Sequence, residues 1–260
     1  MPSTDDGADL VLRPASTGDL AAVAEVLIEA RAAAFPAMPP FVGSSDQVRA
    51  SVRALDLADG RELWVAERDG AVVGVAELKD DWLDDVYVHP AHARTGVGSA
   101  LLDCVKALRP GGFSLWCFVS NQPARAFYAA AGCVELETTD GTANDEGAPD
   151  VRVMWPGVQP LDGLRRQIDD VDAEISRLVA RRVALTAAVQ PLKAVPGRAG
   201  RDPAREAQLA RTMAQAGPGV DEAAYARVVD LLVDLGLDCY ERAAEPAAPA
   251  APAASAKERA

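Results

Sequence analysis

Short apolar runs of strand length alternate with helical stripes over the first part of the chain. Leu10–Leu12 is a short strand candidate, and a helical stretch follows Asp19 through Ala30. Leu63–Glu67 and Val72–Leu78 flank Asp69-Gly70, the turn chemistry of a hairpin. Val86–Val88 reads as a strand before His89-Pro90. From Gly96 to Leu108 the positions Val97, Leu101, Leu102, Val105 and Leu108 form one helical stripe. Ser114–Val119 is a further strand, Pro123–Ala131 a helix closed by Gly132, and Val151–Trp155 a last strand. A sheet covered by helices follows from this order.

The texture changes at Pro156-Gly157-Val158-Gln159-Pro160, where two prolines and a glycine interrupt any helix or central strand. Beyond it Leu161, Leu164, Ile168, Val171, Ile175, Leu178, Leu185, Val189 and Leu192 recur at spacings of three and four, with Arg182 in the one odd place. This predicts a single helix about 48 Å long. The remaining chain is too short to cover it, so a partner chain is expected. An arginine on an apolar seam is costly unless an anion meets it, either a neighbouring carboxylate or a ligand. The domain plan is 8–156, a linker at 157–160, a helical domain at 161–242 and a disordered Ala/Pro tail at 243–260.

Charge sharpens this division. The net charge is −13, of which residues 1–160 carry −12 and residues 161–242 only −1, the latter rich in arginine. So acidic a chain is a poor nucleic-acid binder. No window approaches the roughly 18 apolar residues of a membrane span, and MPSTDDGADL lacks the basic and apolar stretches of a secretory leader. Cys104, Cys117, Cys133 and Cys239 form no CxxC pair, which fits reduced thiols in the cytoplasm. His89 and His92 are spaced like metal ligands, yet no third ligand accompanies them, and a turn is the better reading. No metal is expected.

The turn Arg94-Thr95-Gly96-Val97-Gly98-Ser99 feeds a helix and could converge backbone N–H groups on an anion. It is neither a Walker loop nor the dinucleotide fingerprint. With Val-Tyr-Val-His-Pro (86–90) before it, Asn121 to Cys133 after it, and the opening Leu12 to Leu20, it resembles the GCN5-related N-acetyltransferases (GNATs). The resemblance implies an α/β (α+β) acyl-CoA N-acyltransferase fold with acetyl-CoA as cosubstrate. Arg94, Thr95, Gly96, Val97, Gly98 and Ser99 would then cradle its pyrophosphate. The backbone of Val86 and Val88 would pair with the pantetheine, which Asn121 would also bond. Tyr128 would protonate the departing thiolate. Ala93 stands where that family commonly has Gln or Arg. An amine acceptor must lose a proton, and Glu77, Asp84 and Asp85 are the candidate bases. The acidic field of this domain favours a cationic acceptor.

In the helical half, Arg165, Arg182, Lys193, Asp202, Arg205 and Glu206 lie 17, 11, 9, 3 and 1 residues apart. With Leu-Arg-x-x-Ile-Asp-x-x-Asp at 164–172 and Arg-Asp-Pro-x-Arg-Glu at 201–206, this resembles the small all-helical (type II) chorismate mutases. Arg165 and Arg182 would be about 25 Å apart on a straight helix. They cannot share one small ligand within a chain, so the spacing predicts an intertwined homodimer. The resemblance implies a three-helix all-α fold in which the partner's Arg165, together with Arg182 and Arg205, binds the carboxylates of chorismate. Lys193 would donate to the ether oxygen, and Glu206 and Asp202 would hold the ring hydroxyl. No nucleophile is needed, only orientation and charge stabilisation. Two departures stand out. Register puts Gly236 and Tyr240 where the family has Ser/Thr and Gln/Glu, with Glu241 one position off. The resemblance then makes Gly236 a substrate-binding position and the Tyr240 O–H a donor to the ether oxygen from a longer arm, or else a group that fills the pocket. Pro191 should kink or end the long helix near Lys193. The alternatives left open are a mutase for an amino-substituted chorismate, an isochorismate pyruvate-lyase, or a non-catalytic binding and dimerisation module.

Overall fold

The computed structural model describes residues 9–217 and 219–244. From residue 245 the expected tail lies outside the described residues. By its packing the chain divides into two units, Met1–Gln167 and Ile168–Ala260. Among the described residues no helix is long and apolar enough to cross a membrane.

The first unit is built on a seven-stranded sheet. Its strands are β1 (Val11–Pro14), β2 (Arg61–Arg68), β3 (Ala71–Lys79), β4 (Trp82–Val88), β5 (Phe113–Phe118), β6 (Val134–Thr138) and β7 (Asp150–Trp155), in the order β1-β2-β3-β4-β5-β7-β6. Asp69 (φ 54°) and Gly70 (φ 74°) close the β2–β3 hairpin in the left-handed region, as their residue types foretell. A bulge opposite Ala66/Glu67 shifts the alternation of β3.

Helices cover both faces. On one, α1 (Leu20–Ala33) and α2 (Ser45–Arg53) bury Val23, Val26, Leu27 and Val52 against Leu63, Val65 and Val75. On the other, α3 (Val97–Leu108) and α4 (Gln122–Ala130) bury Val97, Leu101, Leu102, Val105 and Tyr128 against Ala76, Leu78, Leu83 and Leu115.

Every strand pairing is antiparallel except β4 with β5, which is parallel and registers only at Trp82 and Ser114. Beyond that point the two strands part. His89 N–H bonds back to Val73 O on β3, at 2.9 Å. By the two-residue period, Val86 and Val88 therefore turn their N–H and C=O groups away from β3, toward the gap. Two elements lay outside the apolar pattern. β6 is largely exposed. α2 buries only Val52, yet its Ser44/Gln47 capping box was readable in the chain.

Three helices make the rest: α5 (Pro160–Val189), α6 (Pro203–Ala216) and α7 (Glu222–Ala244). Pro191 ends the long helix as expected, since α5 stops at Val189 and Gln190–Leu192 forms one 3₁₀ turn. In the second unit α6 starts at an Asp202 cap, whose Oδ1 accepts from Arg205 N–H at 3.0 Å, followed by Pro203. α6 packs along α7. Among the described residues the α5 stripe has no such cover: Ile168, Val171, Ile175, Leu178, Leu185 and Val189 are 46% to 59% exposed.

Candidate functional site

In the gap between β4 and β5 lie two cavities that share Val86, Asn121, Ala124 and Tyr128. One, of about 410 Å³, is lined also by Val88, Arg94, Gly96, Gly98, Ser99 and Phe127. Arg94 (φ 60°) and Gly96 (φ 88°) bend the chain through the left-handed region into α3. The first bond of α3 runs from Ala100 N–H to Gly96 O, at 3.0 Å. The N–H groups of Val97, Gly98 and Ser99 therefore have no intrahelical partner, and with Gly98 and Ser99 on the cavity wall this helix start can seat an anion. A Cβ at Gly98 would meet Val88 Cγ2 at 3.5 Å and Phe127 Cζ at 3.8 Å, so the missing side chain keeps the cleft open. Asn121 Oδ1 caps α4 by accepting from Ala124 N–H at 3.2 Å. That leaves its NH₂ to donate.

Thr95 and Val97 stand outside this lining. Val97 is a core side chain, 1% exposed, so only its backbone can serve the turn. Thr95 Oγ1 donates to His92 O at 2.8 Å and accepts from Arg68 Nη1 at 3.2 Å.

The second cavity, of about 280 Å³, has acidic walls: Asp84, Asp85, Glu146 and Asp150, with Arg31, Tyr87, Trp116 and Phe118. Burial and neighbouring Asp84 push the Asp85 carboxyl up to about 6. Burial also raises Asp84. Neither has a basic partner within 4 Å among the described residues. Glu77, opposite Asp85 in the β3–β4 register, is instead ion-paired with Arg61 and does not reach the cavity. Tyr128, 8% exposed, has its phenol pushed well above the ordinary range by burial and stays protonated. Among the described residues nothing hydrogen-bonds its hydroxyl, which leaves it free as a donor between the two cavities.

Several of these groups had no periodic signal in the chain. Arg31 lies on the inner face of α1, pairs with Glu146 and sits 4.1 Å over the Phe41 ring. Glu146 and Asn144 belong to the loop between β6 and β7, where Asn144 Nδ2 donates to Asp150 Oδ2 at 3.0 Å. His89 begins the turn foreseen for it. Its Nε2 meets Glu29 at 2.8 Å, and among the described residues no cluster suited to a metal ion occurs.

In the second unit Arg182, Lys193, Asp202, Arg205 and Glu206 line one cavity of about 560 Å³, with Thr186, Gln190, Arg201, Val233 and Leu237. No carboxylate lies within 4 Å of Arg182, Lys193 or Arg205 among the described residues, so a built-in ion pair does not explain Arg182. Glu206 is held by Arg201 at 2.7 Å, and Arg201 also reaches Asp230 (2.6 Å) and Asp234 (3.2 Å) on α7. Lys193 Nζ donates to Gly200 O at 2.9 Å. Three unpaired cations around one cavity suit a small polyanion.

Arg165, Gly236 and Tyr240 do not line it. Arg165 lies in the first unit, exposed, beside Asp162 at 3.7 Å. Gly236 is buried beneath Thr186. Glu241 is turned to Arg198 at 3.3 Å.

Residues 27–133 match the Acetyltransferase (GNAT) family, and residues 164–238 match Chorismate mutase type II. The chain is similar to the peptidyl-lysine N-acetyltransferase YiaC of Escherichia coli, 35% identical over 42% of this chain and 73% of that protein. It is 33% identical to the mycothiol acetyltransferase of a Parafrankia strain over 48% of this chain, which spans only 38% of that relative. A Corynebacterium glutamicum structure described as histone acetyltransferase HPA2 and related acetyltransferase aligns at a TM-score of 0.47 and 24% identity, covering 58% of this chain and 98% of that one.

Proposed function

Because the chain belongs to the GNAT acetyltransferase family and carries a type II chorismate mutase domain, we propose a bifunctional enzyme: an acetyl-CoA-dependent N-acetyltransferase of a cationic amine, and a chorismate mutase working as a homodimer. The observation that carries the first activity is the meeting of an anion-seating cavity and an acidic cavity at Tyr128.

Bound acetyl-CoA supplies the acyl group and a thiolate leaving group. The free N–H groups of the Arg94–Ser99 turn hold the pyrophosphate, with Arg94 as a nearby cation. The outward edge of Val86 and Val88 and the Asn121 NH₂ hold the pantetheine amides. Asp84, Asp85 and Glu146 draw the protonated amine into the acidic cavity. Asp85, ionised above about pH 6, takes the ammonium proton directly or through a water. The neutral amine then attacks the thioester carbonyl. As the C–S bond breaks, Tyr128 gives its proton to the sulfur and regains one from the new amide nitrogen directly or through a water. The lysine ε-amine named in the Escherichia coli relative is an acceptor of this cationic class. Gly98→Trp fills the cleft between Val88 and Phe127, so acetyl-CoA binding by calorimetry should vanish while circular dichroism is unchanged. Retained binding would refute the assignment.

For the second activity, Arg182 and Arg205 bind the carboxylates, Lys193 donates to the ether oxygen, and Glu206 and Asp202 hold the ring hydroxyl. The exposed α5 stripe is the dimer surface, and the partner's Arg165 completes the site. Chorismate turnover read by NMR decides among the alternatives. Prephenate supports the mutase. Release of pyruvate points to a lyase, and binding without turnover to a sensing or dimerising role for this unit.

A further inference from the structure

Arg182 and Thr186 on α5, and Gln190 in the 3₁₀ turn that follows it, are four residues apart and line the same cavity. The Thr186 hydroxyl is used twice. Its Oγ1 donates to Arg182 O at 3.0 Å and accepts from Arg182 Nη1. Its proton is thus committed to the backbone, and a lone pair is left for the guanidinium. Gln190 locks the same turn: its Nε2 donates to Thr186 O at 3.1 Å, and its Oε1 accepts from Gly197 N–H at 2.9 Å.

Across from Thr186, α7 offers Gly236. A Cβ there would lie 2.7 Å from both Thr186 Cβ and Cγ2 and 2.8 Å from Oγ1, closer than side-chain atoms approach. Thr186 is β-branched and has few rotamers to retreat into. No larger residue at 236 is compatible with Thr186 where it stands.

We propose that Thr186 is the positioning residue that aims Arg182 into the anion cavity, and that Gly236 is the socket that admits it. α7 contributes space at this point, and α5 contributes the hydroxyl. The role deepens the chorismate reading for substrate affinity, but its geometric part holds for the free protein.

The test therefore has two readouts. In ¹⁵N-arginine-labelled protein without ligand, Thr186→Val should speed rotation of the Arg182 guanidinium, and Thr186→Ser should preserve the parent behaviour. With chorismate, Thr186→Val should raise KM about tenfold and leave kcat within about twofold, the cost of losing one hydrogen bond to a charged group. Gly236→Ser should raise KM similarly, and adding Thr186→Ala should relieve it, a non-additive pair. An unchanged Arg182 signal in Thr186→Val, or a parent-like Gly236→Ser, overturns the proposal. Faster guanidinium rotation with no chorismate turnover in any variant supports the positioning role and refutes the mutase reading.

Discussion

At the scale of residues, the proposed acetyltransfer mechanism depends on the environments of two groups. Asp85 must be ionised to accept a proton, and its carboxyl is raised to about 6. As pH falls through about 6 the base is lost, so kcat/KM should drop by about tenfold per unit below it. Asp85→Asn should lower kcat/KM at pH 8 and remove that acidic limb. A limb unchanged in Asp85→Asn assigns the base to another group. Tyr128 stays protonated across the working range, so it acts only as donor. Tyr128→Phe should cut kcat by about 100-fold, within the usual worth of a general acid, and leave acetyl-CoA affinity near the parent value. Equal kcat in the phenylalanine variant would make Tyr128 a packing residue. Tyr128 could be named from the chain because motif order placed it, whereas Asp85 was one of three carboxylates expected near the strands that frame the cleft. Glu77 and Asp84 had the same standing there, and Glu77 is set apart by its pairing with Arg61 and its absence from the cavity wall.

At the scale of elements, the decisive feature of the first unit is a strand pair that registers once and then opens. The apolar runs foretold both strands and the helix between them, but not their divergence. In the second unit the 3-4 stripe foretold one long helix, and Pro191 foretold its end. The stripe's exposure has a testable consequence. Ile175 is 49% exposed in the single chain. A charge there is nearly free in a monomer and costly in a dry helix interface. If the stripe is the proposed dimer surface, Ile175→Asp should lower the mass in light scattering from that of a dimer to that of a monomer, with acetyl-CoA binding retained. A parent-like mass would place the dimer surface elsewhere.

At the scale of the whole molecule, the two units divide the charge. One cavity is walled by Asp84, Asp85, Glu146 and Asp150, the other by Arg182, Lys193 and Arg205, which have no carboxylate within 4 Å among the described residues. The two proposed activities rest on that division. If the partner's Arg165 completes each chorismate site, Arg165→Ala and Arg205→Ala should each be nearly inactive. Mixed and exchanged, they should recover up to about a quarter of parent turnover, because a mixed dimer holds one intact site. No recovery would show that each site is built from one chain. The chain alone, through apolar periodicity and turn residues, determined the α/β-then-helical order, while resemblance to two families singled out the Arg94–Ser99 turn and the set Arg182, Lys193, Asp202, Arg205 and Glu206, which line one cavity. The order of elements follows from local rules of backbone geometry and helix repeat, and so survives in a one-dimensional text. Tertiary structure decided that Asp85 rather than Glu77 faces the cavity, that Arg31 and Glu146 meet across 115 positions, and that Gly236 receives Thr186. Such contacts join residues far apart in the chain, and no periodicity records which side chains folding brings together.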